Sequence, residues 1–518
     1  MIVFGLGKMS LSKEFSEPSS LSNNSSSSSS VSSSSDSASI CGNSSTWPSS
    51  ETAWSAPSSS LSISSVSWGR RAGCLLRASM VNYGGDEVSA LVVDIGSSSV
   101  RAGYAGDDSP KAVIPTSYGY HQTPIDGDAP MQDPVDGLGA FPRKAAKKMY
   151  LGQFGASVWR DGMEVGNPIH GGLISDFEPV SALMRHAIQD VMRCNPVEHP
   201  ILVTEPAWNT PENRERMAEI MFEEFQVPAF YVANTGVLNA FASGRGSALV
   251  VDIGHKVVSV TPVVDGFVLR KGLAYSALPE LVHSYAHNIL RSPNQHRQGI
   301  DLFPHQLIAA KTVVEANALP MYALREDRIK GTTDSWRAWY EAREVDEWAQ
   351  SVAGVLEQGW NDQMVQSRPP KQYEFPTGYI GWFGVERFSV GEQFFTQAPH
   401  LAEGWARQTN TPPPKTIPAL ISDAVRGCDP ELRQVLAGNI VLTGGGSLFT
   451  GFADRLHNEL SRQFPHNKIH APGNPIERRY GGWLGGSVLA SLGTFHQLWI
   501  SQEEWKEHGR AIVGQRCK

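Results

Sequence analysis

The chain has 518 residues, 41% hydrophobic and 19% charged, enough for two to four domains with real cores. Its formal net charge of −8 excludes a global basic field for nucleic acid, so any DNA contact would be local or made through partners. No apolar run is long enough to span a bilayer, Met1–Gly7 lacks the basic region of a signal peptide, and Cys41, Cys74, Cys194, Cys428 and Cys517 form no CxxC pair; the expectation is an intracellular protein without a membrane segment or zinc site.

Residues 1–79 are a different material from the rest. The runs Ser25–Ser30 and Ser32–Ser35 sit among Ser, Asn and Pro, which bury too little apolar surface to offset chain entropy. Trp47, Trp54 and Trp68 are isolated, and the segment reads as a disordered tail. Folded character begins near Met80, which could itself be the initiator; a regulated tail is the alternative. Ser89–Gly96 then spells SALVVDIG, and the same octapeptide returns at Ser247–Gly254. A short Val/Leu run bounded by turn residues reads as a buried strand, with Asp and Gly at its tip.

Between the copies, Ile201–Thr204 reads as a strand, Thr210 as an N-cap and Pro211 as the first residue of a helix reaching about Phe225, with Ile220, Met221 and Phe225 on one face. Phe230–Ala233 is a further strand, followed by a helix that stops near Gly244. Ser292 to about Thr333 and Ala398–Lys415, with its Pro412–Pro414 run, read as insertions or long loops. Trp336, Trp339 and Trp348 fall on one helical segment, where core packing or a partner surface would explain them, core being the simpler reading. Asn439–Ser447 runs from a strand into Gly444-Gly445-Gly446, and a helix follows over Phe452–Phe464. Alternating strands and helices give an α/β fold with helix-covered sheets.

One LVVDIG is weak, because many buried strands end in an Asp-Gly turn; two identical copies are not a packing accident. Two such tips facing each other can hold a polyphosphate, since glycines let backbone N–H groups approach phosphate and each carboxylate can hold a water of Mg²⁺. The expected function is to clasp a nucleotide.

Taken in order, Ala90–Gly106, Glu198–Asn209, Arg216–Tyr231, Ser247–Pro262, Asn439–Arg455 and Arg478–Lys518 resemble the actin family, over nearly everything from Val88 to Cys517. The opening YGGDEVSALVVDIG and the long insertions are most similar to its nuclear class, found in chromatin-remodelling and histone-acetyltransferase complexes. The resemblance implies two ribonuclease-H-like domains around a cleft holding ATP and Mg²⁺. The first would take 80–242 plus 481–518, with a small subdomain at about 115–162, and the second 243–480. It assigns Asp94, Gly96, Ser97, Ser98, Arg101, Asp252, Gly254, His255, Lys256, Gly444, Gly445, Gly446 and Arg479 to the nucleotide, with Asp94 and Asp252 reaching the metal through water.

The departures from the actin pattern bear on activity. Arg101 stands for a phosphate-contacting lysine, keeping charge but changing geometry. Thr235 stands for the glutamine that orients the attacking water and cannot reach as far. His255 replaces an acidic residue, Lys256 a glycine, and Ser98 a glycine of the first loop. Water attack needs positioning, so ATP binding with little or no hydrolysis is expected. The segment between Lys148 and Gly166 is shorter than actin's filament-forming loop, against polymerisation. Val488, Leu489, Leu492 and Phe495 keep the spacing of actin's apolar cleft, as core or as a groove for a partner helix. Implied partners are nuclear actin and a helical segment of a remodeller or acetyltransferase subunit. Histones, and DNA contact through Arg143, Lys144, Lys147 and Lys148, are left open, a solvated loop being the simpler account of that run. The competing function is an active ATPase, as a filament-forming actin or a sugar-kinase-like enzyme.

Overall fold

The protein is described by a computed structural model over residues 89–122, 147–293 and 297–518. The Ser-rich tail, Met80, Arg143 and Lys144 lie outside the described residues. In the first sheet, the octapeptide strand Leu91–Ile95 runs antiparallel to Ser99–Tyr104 and parallel to Ile201–Glu205. Ala112–Pro115 extends one side of this sheet, and Ala229–Asn234 and then Ile500–Ser501 extend the other. Leu91, Val92 and Val93 are fully buried, which explains why the strand reads as an unbroken apolar run rather than an alternating one.

The second sheet repeats the wiring. Ala248–Ile253 runs antiparallel to Val258–Val264 and parallel to Ile440–Thr443, which in turn pairs with Ile469–His470. Each octapeptide strand anchors a separate core. The first packs with Leu183, Met184, Met221, Phe225 and Trp483, the second with Leu281, Trp348, Val352, Ile421 and Phe452. Between the sheets, helices Thr235–Ala242 and Gly481–Ser491 press together so closely that a Cβ on Gly485 would lie 1.9 Å from the Leu238 carbonyl oxygen. Trp483, fully buried, donates its indole N–H to the Val92 carbonyl at 3.0 Å, fixing the second of these helices to the first sheet.

Most local signals translate directly. The Thr210 hydroxyl accepts from the Asn213 N–H at 3.2 Å, and the helix begins at Pro211. It runs to Glu219 and continues as a wider turn over Ile220–Glu224, burying Ile220, Met221 and Phe222. Trp336 and Trp348 are core residues of helix Asp334–Val352, with Trp339 only partly covered.

Two stretches expected to be loops are structured. Residues 292–333 contain the hairpin Ile308–Thr312 with Met321–Leu324 and a short helix, Glu326–Ile329. Residues 398–415 contain helix Pro399–Thr409, opened by a proline and closed by Asn410 in the left-handed conformation (φ 54°). The proline run that suggested a loop lies just beyond that stop. Lys147 and Lys148 are not in a loop either: they sit on strand Lys147–Tyr150, their ammonium groups 5.1 Å and 5.5 Å from the ring centres of Tyr120 and Tyr150. That strand and Glu164–Gly166 flank Tyr118–Gln122 in a small sheet. Among the described residues no helix is long and apolar enough to cross a membrane, and Cys194, Cys428 and Cys517 are free and buried.

Candidate functional site

The two octapeptides end in matching turns. In the first, the Gly96 N–H donates to the Ser99 carbonyl at 3.0 Å, and in the second the Gly254 N–H donates to Val257 at 3.0 Å. Strand register places Asp94 opposite Arg101 and Asp252 opposite Ser259, the same position in each hairpin. Both turns face one cleft. Its wall carries Asp94, Gly96, Ser97, Ser98, Arg101, Asp252, Gly254, His255, Lys256, Gly444, Gly445 and Arg479, together with Thr235. Gly446 alone of the expected nucleotide residues is off the wall. It sits beneath, where a Cβ would come within 2.4 Å of Ile253 Cγ2, so its role is close packing rather than contact.

The charges are arranged unequally. Arg101 is ion-paired to Asp94, and the Thr204 hydroxyl donates to the other Asp94 oxygen at 2.6 Å. Arg101 also lies 5.2 Å from the Tyr480 ring centre. Asp252 makes no ion pair, and burial, then the negative charge of Asp94, pushes its carboxyl up to about 6 against the weaker opposing pull of Arg101 and a hydrogen bond from Asn239. Two carboxylates that repel each other in one cleft suit a hard cation held through its waters. The Nε atoms of Arg101 and Arg479 are buried without a hydrogen-bond partner, and both side chains border the cleft. An anion would supply what they lack.

His255 lines the cleft and also approaches an acidic neighbour. Its Nδ1 is 3.7 Å from Asp346, which is also 3.7 Å from His283 Nε2. Burial nonetheless holds the His255 imidazole down to about 4, so it is neutral at physiological pH. Lys256 lies 3.9 Å from Glu280. The Thr235 hydroxyl is turned to the Glu205 carbonyl at 3.1 Å rather than offered to the cleft.

Sequence reasoning missed Thr204, Glu205, Trp208 and Asn239, which also line the wall. Thr204 and Glu205 end the strand beside Asp94, so the rule that strand ends face the cleft would have found them. Burial pushes the Glu205 carboxyl up, and Arg214 at 3.0 Å opposes that. Trp208 follows the same strand and stacks on Tyr275 of the second sheet, ring centres 4.6 Å apart and 13° from parallel. Nothing local announced that pair.

The expected apolar groove is only half present. Val488 and Leu492 are 45% and 47% exposed, whereas Leu489 packs on the first core. Phe495 is corrected outright: it is buried against Tyr231 and Trp499 and presents nothing to a partner. The helix stops at Ser491, so the four residues do not share one continuous helical face.

Paired sheets of like wiring, closing on two Asp-x-Gly turns around an anion-ready cleft, define the actin-like fold. Residues 85–518 match the family model described as Actin. The chain is 34% identical to actin-related protein 4 of Mycosarcoma maydis over 543 aligned residues, covering 84% of this chain and 99% of that protein. It is 36% identical to actin-related protein 4 of Schizosaccharomyces pombe and 35% identical to that of Arabidopsis thaliana, covering 84% of this chain and 99% and 100% of those proteins. The chain belongs to the actin family.

Proposed function

We propose that this protein is a non-polymerising, nucleotide-clasping structural subunit of nuclear chromatin-remodelling and histone-acetyltransferase complexes, holding ATP with little or no hydrolysis. The observation that carries the nucleotide reading is the meeting of two matching turns across one cleft, with the buried Nε atoms of Arg101 and Arg479 lacking partners. Asp94 and Asp252 would hold Mg²⁺ through its waters, and the metal would offset phosphate charge. Gly96, Ser97, Ser98, Gly254, Gly444, Gly445 and Arg479 all line this cleft, and in this reading the two turns would take the phosphates. Weak hydrolysis is supported by Thr235, whose hydroxyl is spent on a backbone carbonyl, and by His255, which is drawn toward Asp346.

The structural role is supported by similarity to proteins named actin-related protein 4 and by the exposed apolar side chains of Val488 and Leu492 at the end of helix Gly481–Ser491, which leave a small apolar patch for a partner such as nuclear actin or a helical segment. A ligand at a hundred times its dissociation constant stabilises the bound state by about 2.7 kcal/mol, enough to hold two lobes together without turnover.

The test is the nucleotide content and phosphate release of the purified full chain in Mg²⁺ buffer. Bound ATP that stays ATP for hours is the expected result. Steady phosphate release would make the protein an active actin-like ATPase instead, and absence of any nucleotide would overturn the clasp.

A further inference from the structure

Three consecutive residues lead from the second sheet's glycine turn to the first hairpin. The Arg478 carbonyl accepts from the Gly444 N–H at 2.9 Å and from the Thr443 hydroxyl at 2.9 Å, which fixes the chain to the glycine turn. Arg479 borders the cleft. Tyr480 then meets the first hairpin, its ring centre 5.2 Å from the Arg101 guanidinium carbon.

The backbone fixes Tyr480 in place. Its N–H donates to the Ile476 carbonyl at 2.9 Å, closing helix Pro475–Arg479, and its carbonyl accepts from the Leu484 N–H at 2.9 Å, opening helix Gly481–Ser491. A residue shared by two helix ends has little freedom to carry its ring away. Tyr480 is 7% exposed, yet it belongs to none of the apolar clusters formed by the described residues. What the ring covers is a cation.

Arg101 is held from several sides. Asp94 takes Nη1, and the Tyr480 ring lies against the guanidinium. Gly96 leaves it room, since a Cβ there would meet Nη1 at 3.7 Å and Nη2 at 3.8 Å. Only 15% of the Arg101 side chain is exposed, so the negative face of the ring acts on it with little screening by water. The two contacts are compatible, because stacking uses the face of a guanidinium and ion pairing its N–H rim. The Nε atom stays buried without a partner at the border of the cleft. With the ring removed, the pull of Asp94 would be unopposed and would turn the cation from an anion in the cleft.

We propose that Tyr480 is a positioning residue for anion recognition: its ring holds the Arg101 guanidinium so that one cation serves Asp94 and a phosphate of the bound nucleotide together. Tyr480 thereby governs affinity for the phosphate charge and not for the nucleoside. This rests on the nucleotide-clasp reading above. Arg478 and Tyr480 are two residues apart, so the same short strap sets the glycine turn of one half against the cation of the other.

The experiment titrates ATP and adenosine calorimetrically, in Mg²⁺ buffer, into the full chain stripped of bound nucleotide. The variants are Tyr480→Leu, Tyr480→Phe, Arg101→Met and the double variant Arg101→Met with Tyr480→Leu. Tyr480→Leu should weaken ATP binding about tenfold, equivalent to about 1.4 kcal/mol, and leave adenosine binding unchanged. Tyr480→Phe keeps the aromatic face and should bind ATP as the wild type does. In the Arg101→Met background, Tyr480→Leu should cause no further loss, because the cation it positions is gone. Wild-type ATP affinity in Tyr480→Leu overturns the positioning role and leaves the clasp standing. So does a loss in Tyr480→Phe as large as in Tyr480→Leu, an equal loss for adenosine, or a full additional loss in the double variant, each of which makes Tyr480 a packing residue. A wild type that takes up no ATP overturns the clasp, and the role of Tyr480 with it.

Discussion

Leu91–Gly96 and Leu249–Gly254 have the same sequence, the same burial of their Val/Leu runs and the same closing hydrogen bond, yet their carboxylates live in different surroundings. Asp94 faces Arg101 across its hairpin and takes a hydroxyl from Thr204. Asp252 faces Ser259 and takes a hydrogen bond from Asn239 but no ion pair, and its neighbour Thr443 turns its hydroxyl to the Arg478 carbonyl. The strand sequence thus sets the shape of the turn, while its charge balance is decided seven residues later on the facing strand. A duplicated motif need not carry a duplicated role.

The largest expected break in that comparison is Asp94→Ala. It strands the mostly buried Arg101 cation and takes the acceptor from Thr204, which costs about 3 kcal/mol of stability. Nucleotide affinity by calorimetric titration should fall at least a hundredfold, and normal affinity would sink the clasp.

Asp252→Asn should behave in the opposite sense in the nucleotide-free protein. The folded carboxyl titrates near 6 against an ordinary 3.8, so the folded state binds more protons between those values. The stability this contributes below pH 4 is lost as pH rises through 6, a difference of roughly 3 kcal/mol at most. His255, held down to about 4 against an ordinary 6.5, has the reverse slope, adding stability as pH rises over the same window. Denaturant unfolding at a series of pH values should show Asp252→Asn more stable than the wild type at pH 7.5, with stability rising from pH 4 to 6.5. An unchanged profile would mean Asp252 is as well paired as Asp94.

The glycines offer a finer test. A Cβ on Gly254 would sit 2.9 Å from the Val257 carbonyl oxygen, whereas on Gly96 it would sit 3.4 Å from the Ser99 oxygen. Gly254→Ala should lower stability by about 1 kcal/mol in thermal melts and Gly96→Ala by markedly less; the reverse order would refute the close-packing account of the second turn. Smallest is Thr235→Gln, which returns an amide to the cleft wall and should raise phosphate release a few-fold. No rise would shift the cause of weak turnover to the rest of the cleft.

The sheets and both turns were legible because a strand buried on both faces advertises itself as an unbroken apolar run, and an Asp-x-Gly end marks where it stops. Helix Pro211–Glu219 was legible from Thr210 and Pro211 alone. Helix Pro399–Thr409 was missed because the Pro412–Pro414 run outweighed its own start and stop residues. The Gln306–Trp159 hydrogen bond and the Trp208–Tyr275 stack were not legible at all. Gln306 and Trp159 lie 147 residues apart, and no local pattern records which distant partner a tryptophan will meet. In the site, residue types were readable but pairing was not: Arg101 was expected to serve phosphate, and its bond to Asp94 emerges only from the hairpin register.

The contact of Gly485 with the Leu238 carbonyl is made between backbones. The seam joining the halves is therefore indifferent to most of what happens to residues elsewhere on either side. Each half carries long excursions, such as that between Arg291 and Asp334, that leave this seam untouched. Along that seam the tolerance for change ends at the positions where a methyl group would have no room.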